Sequence, residues 1–293
     1  MHAVASATVT SIDSRRFDQI TTYHDSKYEV AWCYMHASPR SCFTPQLLAE
    51  LNEWSGELRK NADRLGIKYH AIASSVPEVF NLGGDLGLFS LLVQQNDRAG
   101  LIEYGKNCIN ALYSNLVHFD QDVTTISVVQ GDALGGGFET ALSSDVLIAE
   151  KGARMGFPEV LFNLFPGMGG YSLLSRRIGP ARAEQMILSG NVYDAEELHE
   201  MGLVDILVSQ GDGEAAVYDY IRRENRARNG FRALRRVRDC CNPITFDELL
   251  RIVEIWVGAA LRLEKRDLRM MERLVARQHQ KNAKPERHVQ TAL

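Results

Sequence analysis

Short apolar segments alternate with segments of helical character from Tyr28 to Val208, and this alternation constrains the fold more than any other feature. Runs rich in β-branched and aromatic residues predict buried strands. The predicted strands are YEVAWCYM (28–35), KYHAIASS (68–75), TTISVVQ (124–130), VLIAE (146–150) and LVDILV (203–208). Between them apolar residues recur at helical spacing, as they do from Pro45 to Asp63. Strands that alternate with helices predict an α/β architecture with helical cover.

The pattern divides the chain into four predicted regions. Residues 1–18 are polar and predict a flexible N-terminus, and residues 19–208 carry the alternating strands and helices. After the turn-rich segment SQGDGE (209–214), residues 209–280 predict a helical C-terminal region, and residues 281–293 predict a loose tail.

Composition excludes several classes of protein. The 293-residue chain is 45% hydrophobic with a net charge of −4, so it has no global nucleic-acid signature. Its apolar runs are shorter than the roughly 18 residues of a membrane span, and the N-terminus lacks the apolar segment of a signal peptide. The five cysteines are odd in number and form no CxxC pair. We therefore expect reduced thiols, a cytoplasmic location, no membrane insertion, no metal site and no cofactor.

The segment ALGGGFE leads from a predicted buried strand into a helix and ends at Glu139. Glycines allow a ligand to approach the backbone closely, and the first N–H groups of a helix have no internal partner. Such a turn binds a phosphate or stabilises an oxyanion. The phosphate motifs GxxxxGK[ST] and GxGxxG are absent, and a glutamate beside the donors favours proton transfer. The alternative is a tight turn with a solvent-facing glutamate.

Two further motifs complement this turn. FNLGGD (80–85) also follows a predicted strand and precedes a helix, so one N–H from each loop could hold a single carbonyl oxygen. In MGFPEV, Pro158 fixes a turn before Glu159, and the surrounding phenylalanines could tune the pKa of that carboxyl group. Paired carboxylates and amide donors predict the formation and quenching of an enolate beside a thioester carbonyl. Taken singly, each motif could be an ordinary turn.

These three motifs, followed by AEELHEMGLVDILV, resemble the crotonase (enoyl-CoA hydratase/isomerase) superfamily. The resemblance implies a spiral of ββα units, with a C-terminal helical region that forms homotrimers and covers the pocket. It also implies an acyl thioester substrate on coenzyme A or acyl carrier protein. Residue by residue, it implies oxyanion donors at Gly84 and Gly136 and catalytic carboxylates at Glu139 and Glu159. Which glutamate acts as the base stays open.

A narrower resemblance is carried by PEVFNLGGDL and EVLFNLFPGMGGYS. Both look like the diffusible-signal-factor synthases (the RpfF family) of Gram-negative bacteria. This implies dehydration of a 3-hydroxyacyl group on acyl carrier protein to the cis-2-enoyl form, and hydrolysis that releases a fatty acid for quorum sensing. Two alternatives are an ordinary enoyl-CoA hydratase of β-oxidation and a regulatory partner that binds a sensor protein.

Two further sets of residues are candidates for substrate contacts. Leu134 and Met168 lie beside the catalytic motifs, and Trp256 belongs to an apolar helical stripe, so we predict that all three line the acyl pocket. The stripe could instead serve core packing or trimer contacts. The segment 221–239 holds eight arginines, among them Arg235 and Arg236, which we predict to dock an acidic carrier protein or coenzyme A phosphates. A solvated helix face is the alternative.

Overall fold

The computed structural model describes residues 17–282, with side chains described up to residue 273. The predicted flexible segment before residue 17 and the tail from residue 283 therefore lie outside the described residues. The described strands are β1 Ile20–Asp25, β2 Val30–Met35, β3 Tyr69–Ser74, β4 Val79–Asn81, β5 Thr124–Val129, β6 Asp132–Leu134, β7 Val146–Glu150, β8 Arg154–Gly156, β9 Val192–Asp194 and β10 Ile206–Val208. The described α-helices are α1 Pro45–Asn61, α2 Leu86–Gln94, α3 Arg98–Leu116, α4 Gly136–Leu142, α5 Gly170–Ile178, α6 Pro180–Ser189, α7 Ala195–Glu200, α8 Gly213–Asn225, α9 Arg228–Cys241, α10 Phe246–Ala260 and α11 Lys265–Asn282.

From β3 to β8, successive strands alternate between two sheets. The larger sheet has the order β1-β2-β3-β5-β7-β10, and the smaller has the order β4-β6-β8-β9. Strands β3, β5 and β7 each join the larger sheet, the strand that follows each joins the smaller sheet, and helical segments lead to the next turn. Three successive ββα turns thus form a spiral, with the helices α8–α11 after it. The predicted α/β spiral with a helical C-terminal region is confirmed.

Local sequence signals explain the regular elements. Helix α1 begins after Thr44, whose hydroxyl accepts a hydrogen bond from the amide of Leu47, and Pro45 occupies the first turn. Its apolar residues, including Trp54 and Leu58, are buried as the helical spacing predicts. Strands β3, β5 and β7 are buried along their whole length, because a parallel sheet is covered on both faces.

Helix α8 covers one face of the larger sheet. Its residues Val217 and Ile221 belong to a buried cluster that includes Trp32, Ile126 and Ile148 of the strands. Residues 209–212 form the turn that connects β10 to this helix, and the last two residues of the segment SQGDGE begin the helix. The proposed division of the chain at residue 208 therefore falls in that turn, and the boundaries of the four regions stay predictions.

The smaller sheet brings the three sequence motifs together. Strands β4, β6 and β8 are parallel neighbours in this sheet. The motif FNLGGD begins in β4, the glycines of ALGGGFE follow β6, and Glu159 follows β8. Because the carboxyl ends of parallel strands meet at one edge of a sheet, the three loops converge.

Candidate active site

One cavity contains the residues predicted to carry the chemistry. Both predicted glutamates and both predicted glycine donors line it, and so do Met168 and Trp256. The full lining consists of Gly84, Leu86, Phe89, Tyr104, Gly105, Cys108, Gly136, Glu139, Glu159, Phe162, Leu164, Gly167, Met168 and Trp256. Apolar side chains and glycines form most of this wall, so carboxyl groups inside it are poorly hydrated.

The loops that carry Gly84 and Gly136 lie against each other. A Cβ atom built on Gly83 would lie 3.2 Å from the amide nitrogen of Gly136 and 2.7 Å from the carbonyl oxygen of Leu134. Gly83 also has a φ of 88°, a conformation that favours glycine. Gly136 is the first residue of α4, where an N–H has no partner within the helix. The two amides therefore belong to adjoining loops at the edge of one cavity.

Glu139 is a buried carboxyl group with backbone hydrogen bonds. It lies in the first turn of α4 with 1% of its surface exposed. Its Oε1 atom accepts hydrogen bonds from the amides of Met168 at 2.9 Å and Gly170 at 2.7 Å. Burial raises the pKa of this carboxyl group to about 7, although the two hydrogen bonds favour its charged form.

Glu159 faces the same cavity from the short 3-10 helix Pro158–Phe162. Its Oε1 atom lies close to Gly135, where an added Cβ would clash with it. Its Oε2 atom is buried and has no hydrogen-bond partner among the described residues. Burial, and next the charge of Glu139, raise the pKa of this carboxyl group to about 8. The two amide hydrogen bonds to Glu139 favour its charged form, and the Oε2 atom of Glu159 has no such donor, so this arrangement favours a proton on Glu159 beside a charged Glu139.

Two of the three predicted pocket residues line the cavity. The ring of Trp256 packs on Phe89 with a centroid separation of 4.9 Å, and a Cβ on Gly167 would lie 2.5 Å from the Trp256 ring. The sulfur of Met168 would lie 2.8 Å from a Cβ on Gly136. Leu134 is placed differently, because it is partly buried in β6 and is not among the residues that line this cavity.

The two arginines predicted to dock a carrier lie in different environments on α9. Arg235 is 11% exposed, and its guanidinium lies 3.3 Å from Glu224 and 3.4 Å from Asp145. Arg236 is exposed. Internal ion pairs occupy Arg235, so a docking role is a prediction that now falls on Arg236 alone.

Sequence reasoning missed several lining residues, among them Tyr104 and Cys108 on α3. Tyr104 lies about twenty residues beyond the FNLGGD motif, so no local pattern connects them. Within residues 17–273, no cluster of three or more His, Cys, Asp or Glu side chains is arranged to hold a metal ion. None of the helices in the described part of the chain combines the length and apolar character that a membrane crossing requires.

Comparison with known proteins agrees with this geometry. The family model described as enoyl-CoA hydratase/isomerase matches residues 29–240. The fatty acid oxidation complex subunit alpha of Pseudomonas aeruginosa is 33% identical over 184 residues, which cover 62% of this chain and 24% of that protein. This chain thus matches about a quarter of the length of that relative. The probable enoyl-CoA hydratase EchA8 of Mycobacterium tuberculosis is 48% identical over 88 residues, or 30% of this chain and 34% of that protein.

Solved structures support the fold. Pseudomonas aeruginosa DspI superposes with a TM-score of 0.67 at 24% identity, covering 91% of this chain and 97% of that chain. At this identity the likeness shows the fold alone. The family model covers most of the chain, including all three motifs that meet at the cavity. The chain therefore belongs to the enoyl-CoA hydratase/isomerase family.

Proposed function

We propose that this protein dehydrates a 3-hydroxyacyl thioester and then hydrolyses the thioester to release a cis-2-unsaturated fatty acid. The observation that carries the proposal is the shared cavity of Glu139 and Glu159, which the amides of Gly84 and Gly136 border. Two carboxyl groups with opposite protonation states supply a base and an acid, and paired amides stabilise the developing oxyanion.

Dehydration requires a proton to leave C2 and a hydroxyl group to leave C3. The ionised Glu139 accepts the C2 proton, and the electron pair moves onto the thioester oxygen, which the amides of Gly84 and Gly136 stabilise. When the enolate collapses, the C2–C3 double bond forms and the C3–O bond breaks. Glu159 donates its proton to the departing hydroxyl, which leaves as water. The step ends with a protonated Glu139 and an ionised Glu159.

Hydrolysis uses this inverted state of the pair. The ionised Glu159 accepts a proton from a water molecule, whose oxygen attacks the thioester carbon. The same amides stabilise the tetrahedral oxyanion. The carbon–sulfur bond then breaks, and Glu139 donates its proton to the leaving thiol. The pair returns to its starting state, so one shared proton serves both steps.

The finer assignment is to the RpfF type of diffusible-signal-factor synthase, with acyl carrier protein as the carrier and a quorum-sensing fatty acid as the product. It is supported by the segments PEVFNLGGDL and EVLFNLFPGMGGYS around the two loops. Incubation of the purified protein with 3-hydroxyacyl carrier protein, followed by mass spectrometry, tests it. We expect a free cis-2-enoic acid from the wild type and none from Glu139→Gln or Glu159→Gln, which should remain folded. Appreciable product from either variant contradicts the roles of the pair.

An ordinary enoyl-CoA hydratase of β-oxidation is the second candidate, favoured by the match to the enoyl-CoA hydratase/isomerase family model. The same two carboxyl groups could add water across a trans-2-enoyl-CoA. The products separate the two candidates. Accumulation of 3-hydroxyacyl-CoA from enoyl-CoA, without release of a free acid from the carrier-bound substrate, would support the hydratase.

The proposal also includes a homotrimeric assembly and a protein partner. The resemblance to the crotonase superfamily supports a homotrimer, which light scattering of the purified protein tests. It also supports a regulatory sensor protein as a partner, a role that could exist beside catalysis. A pull-down with the double variant Glu139→Ala, Glu159→Ala tests whether such binding is independent of the catalytic pair.

A further inference from the structure

The hydroxyl group of Tyr104 joins the two chain segments that border the Gly84 amide. Tyr104 belongs to α3, is 7% exposed and lines the cavity. Its oxygen accepts a hydrogen bond from the amide of Asp85 at 2.8 Å and donates one to the carbonyl of Phe43 at 2.8 Å. A buried phenol that both accepts and donates in this way fixes the separation and direction of two backbones.

The position of this hydroxyl explains its effect on Gly84. Phe43 pairs with Gly84 in a single parallel bridge, and the amide of Phe43 donates directly to the carbonyl of Gly83 at 2.8 Å. In a parallel bridge the second hydrogen bond would run from the Asp85 amide to the Phe43 carbonyl. Here the Tyr104 hydroxyl lies between these two groups, because it accepts from the Asp85 amide and donates to the Phe43 carbonyl. The two bonds flank Gly84 and leave its own N–H on the side opposite Phe43.

The loop is also fixed at its far end. The Asp85 carboxylate caps α2 by accepting from the amides of Gly87 and Leu88, and it pairs with Arg40 at 2.7 Å. These contacts hold the side chain of Asp85, whereas Tyr104 holds its backbone amide. Burial raises the pKa of Tyr104 well above its usual value, so the phenol keeps its proton and remains a donor.

We propose that Tyr104 is a positioning residue that directs the Gly84 N–H toward the thioester carbonyl oxygen. The inference rests on the proposed function, because Gly84 acts there as an oxyanion donor. Loss of the hydroxyl leaves the catalytic glutamates in place but removes the bonds to the Asp85 amide and the Phe43 carbonyl, so the backbone beside Gly84 is less tightly held. Both the dehydration and the hydrolysis steps use the same oxyanion donors, so both should slow by a similar factor.

Tyr104→Phe tests this with Tyr113→Phe as the matched control, since Tyr113 lies on the same helix and is not among the residues that line the cavity. We expect kcat to fall about 10- to 100-fold in Tyr104→Phe, with a KM within about threefold of the wild type and an unchanged pH profile. Tyr113→Phe should keep the wild-type kcat. A Tyr104→Phe variant that melts at a lower temperature but retains its kcat would overturn the inference.

Two measurements separate this inference from the proposed function. In the inactive Glu139→Gln, Glu159→Gln background, the carbonyl stretch of a bound saturated acyl-CoA should move to lower frequency, and Tyr104→Phe should remove part of that shift. An equal shift with and without the hydroxyl overturns the positioning role. If Tyr104→Phe does not fold, hydrogen exchange of the wild type replaces this test. The Asp85 amide should then exchange as slowly as the amides of β5. Rapid exchange of the Asp85 amide would overturn the proposed hydrogen bond between Asp85 and Tyr104. A wild type inactive on every thioester refutes the proposed function instead.

Discussion

The charge of Glu139 raises the pKa of Glu159 across the shared cavity. Burial is the larger cause for Glu159, and burial alone raises the pKa of Glu139, which two backbone amides partly offset. The two groups are thus both buried carboxyl groups, and they differ in the hydrogen bonds that they accept. Because they interact, their titration belongs to the pair, and a change in one should be measurable in the other.

Glu139→Gln should lower the pKa of Glu159 from about 8, because the substitution removes the neighbouring charge. The pKa should remain above the ordinary value near 4.3, since burial persists. Carbon-13 NMR of labelled glutamate side chains measures this directly. A Glu159 pKa that does not change would show that the two carboxyl groups are not electrostatically coupled.

Stability should depend on pH through the same pair. Both pKa values are raised in the folded protein, to about 7 and about 8, so the folded state binds these protons more tightly than the unfolded chain. The stabilisation is complete below about pH 4 and is lost as the pH rises through 7 and 8. Glu159→Gln, which stays neutral, should therefore exceed the wild type in unfolding free energy at pH 9, by on the order of 5 kcal/mol, and match it below about pH 4.

Urea unfolding at acidic, neutral and alkaline pH measures this difference. Glu200→Gln is the control, because Glu200 is exposed on α7 and is not among the residues that line the cavity. This variant controls for the general effect of replacing one glutamate by glutamine. A Glu159→Gln variant whose advantage does not grow with pH would contradict the raised pKa.

Gly136→Ala should slow catalysis while leaving the fold intact. The added methyl group would lie 2.8 Å from the sulfur of Met168 and 3.4 Å from the ring of Phe43, so the amide of Gly136 or its neighbours must shift. We expect kcat to fall by about tenfold or more, because small displacements of a donor weaken oxyanion binding. Gly230→Ala on α9 is the control, since nothing lies within 4 Å of its Cβ. Equal rates in both variants would exclude Gly136 from the oxyanion site.

Trp256→Ala should change the selectivity for acyl chains. The Trp256 ring closes one wall of the cavity against Phe89 and Gly167. Its removal widens the cavity, so kcat/KM should fall for the preferred chain and rise in relative terms for longer or branched chains. Ile255→Ala, at the exposed neighbouring position on α10, should leave the preference unchanged. Kinetics on a series of thioesters of increasing chain length compares them.

The adjacent arginines on α9 should respond differently to substitution. Arg235→Gln removes a partner of the buried Asp145 and Glu224 and should lower the unfolding free energy by about 3 kcal/mol. Arg236→Glu reverses an exposed charge and should leave the melting temperature unchanged. It should slow turnover of the carrier-linked substrate at low salt but not at high salt. Unchanged kinetics at both salt concentrations would rule out docking at Arg236.

The fold could be predicted from sequence where elements were long enough to show a period. The strands of the larger sheet from β2 onward and helix α1 fall where apolar patterns predicted them. Strands β4, β6, β8 and β9 were not predicted, because three residues cannot display an alternation. Strand β1 was missed because it pairs only at the edge of the sheet and is buried mainly at Ile20 and His24.

The residues of the candidate site could likewise be predicted only where a local sequence pattern marks them. Glu139 and Glu159 could be recognised because each stands in a turn with a clear backbone signature. Adjacent positions such as Arg235 and Arg236 could not be distinguished, since charge composition does not reveal which side of a helix faces the protein. Tyr104 could not be found at all, because its contact with Asp85 joins residues on separate elements that only the spiral brings together.

The residues that line the cavity come from consecutive ββα turns of the spiral, called coils below. One coil supplies Gly84, the next supplies Gly136 and Glu139, and the third supplies Glu159. Each contribution sits on its own loop, while the sheets that fix the spacing lie behind it. Because the Glu159 loop belongs to a coil of its own, it could be exchanged for a loop with another side chain while the loops of Gly84 and Gly136 keep their places.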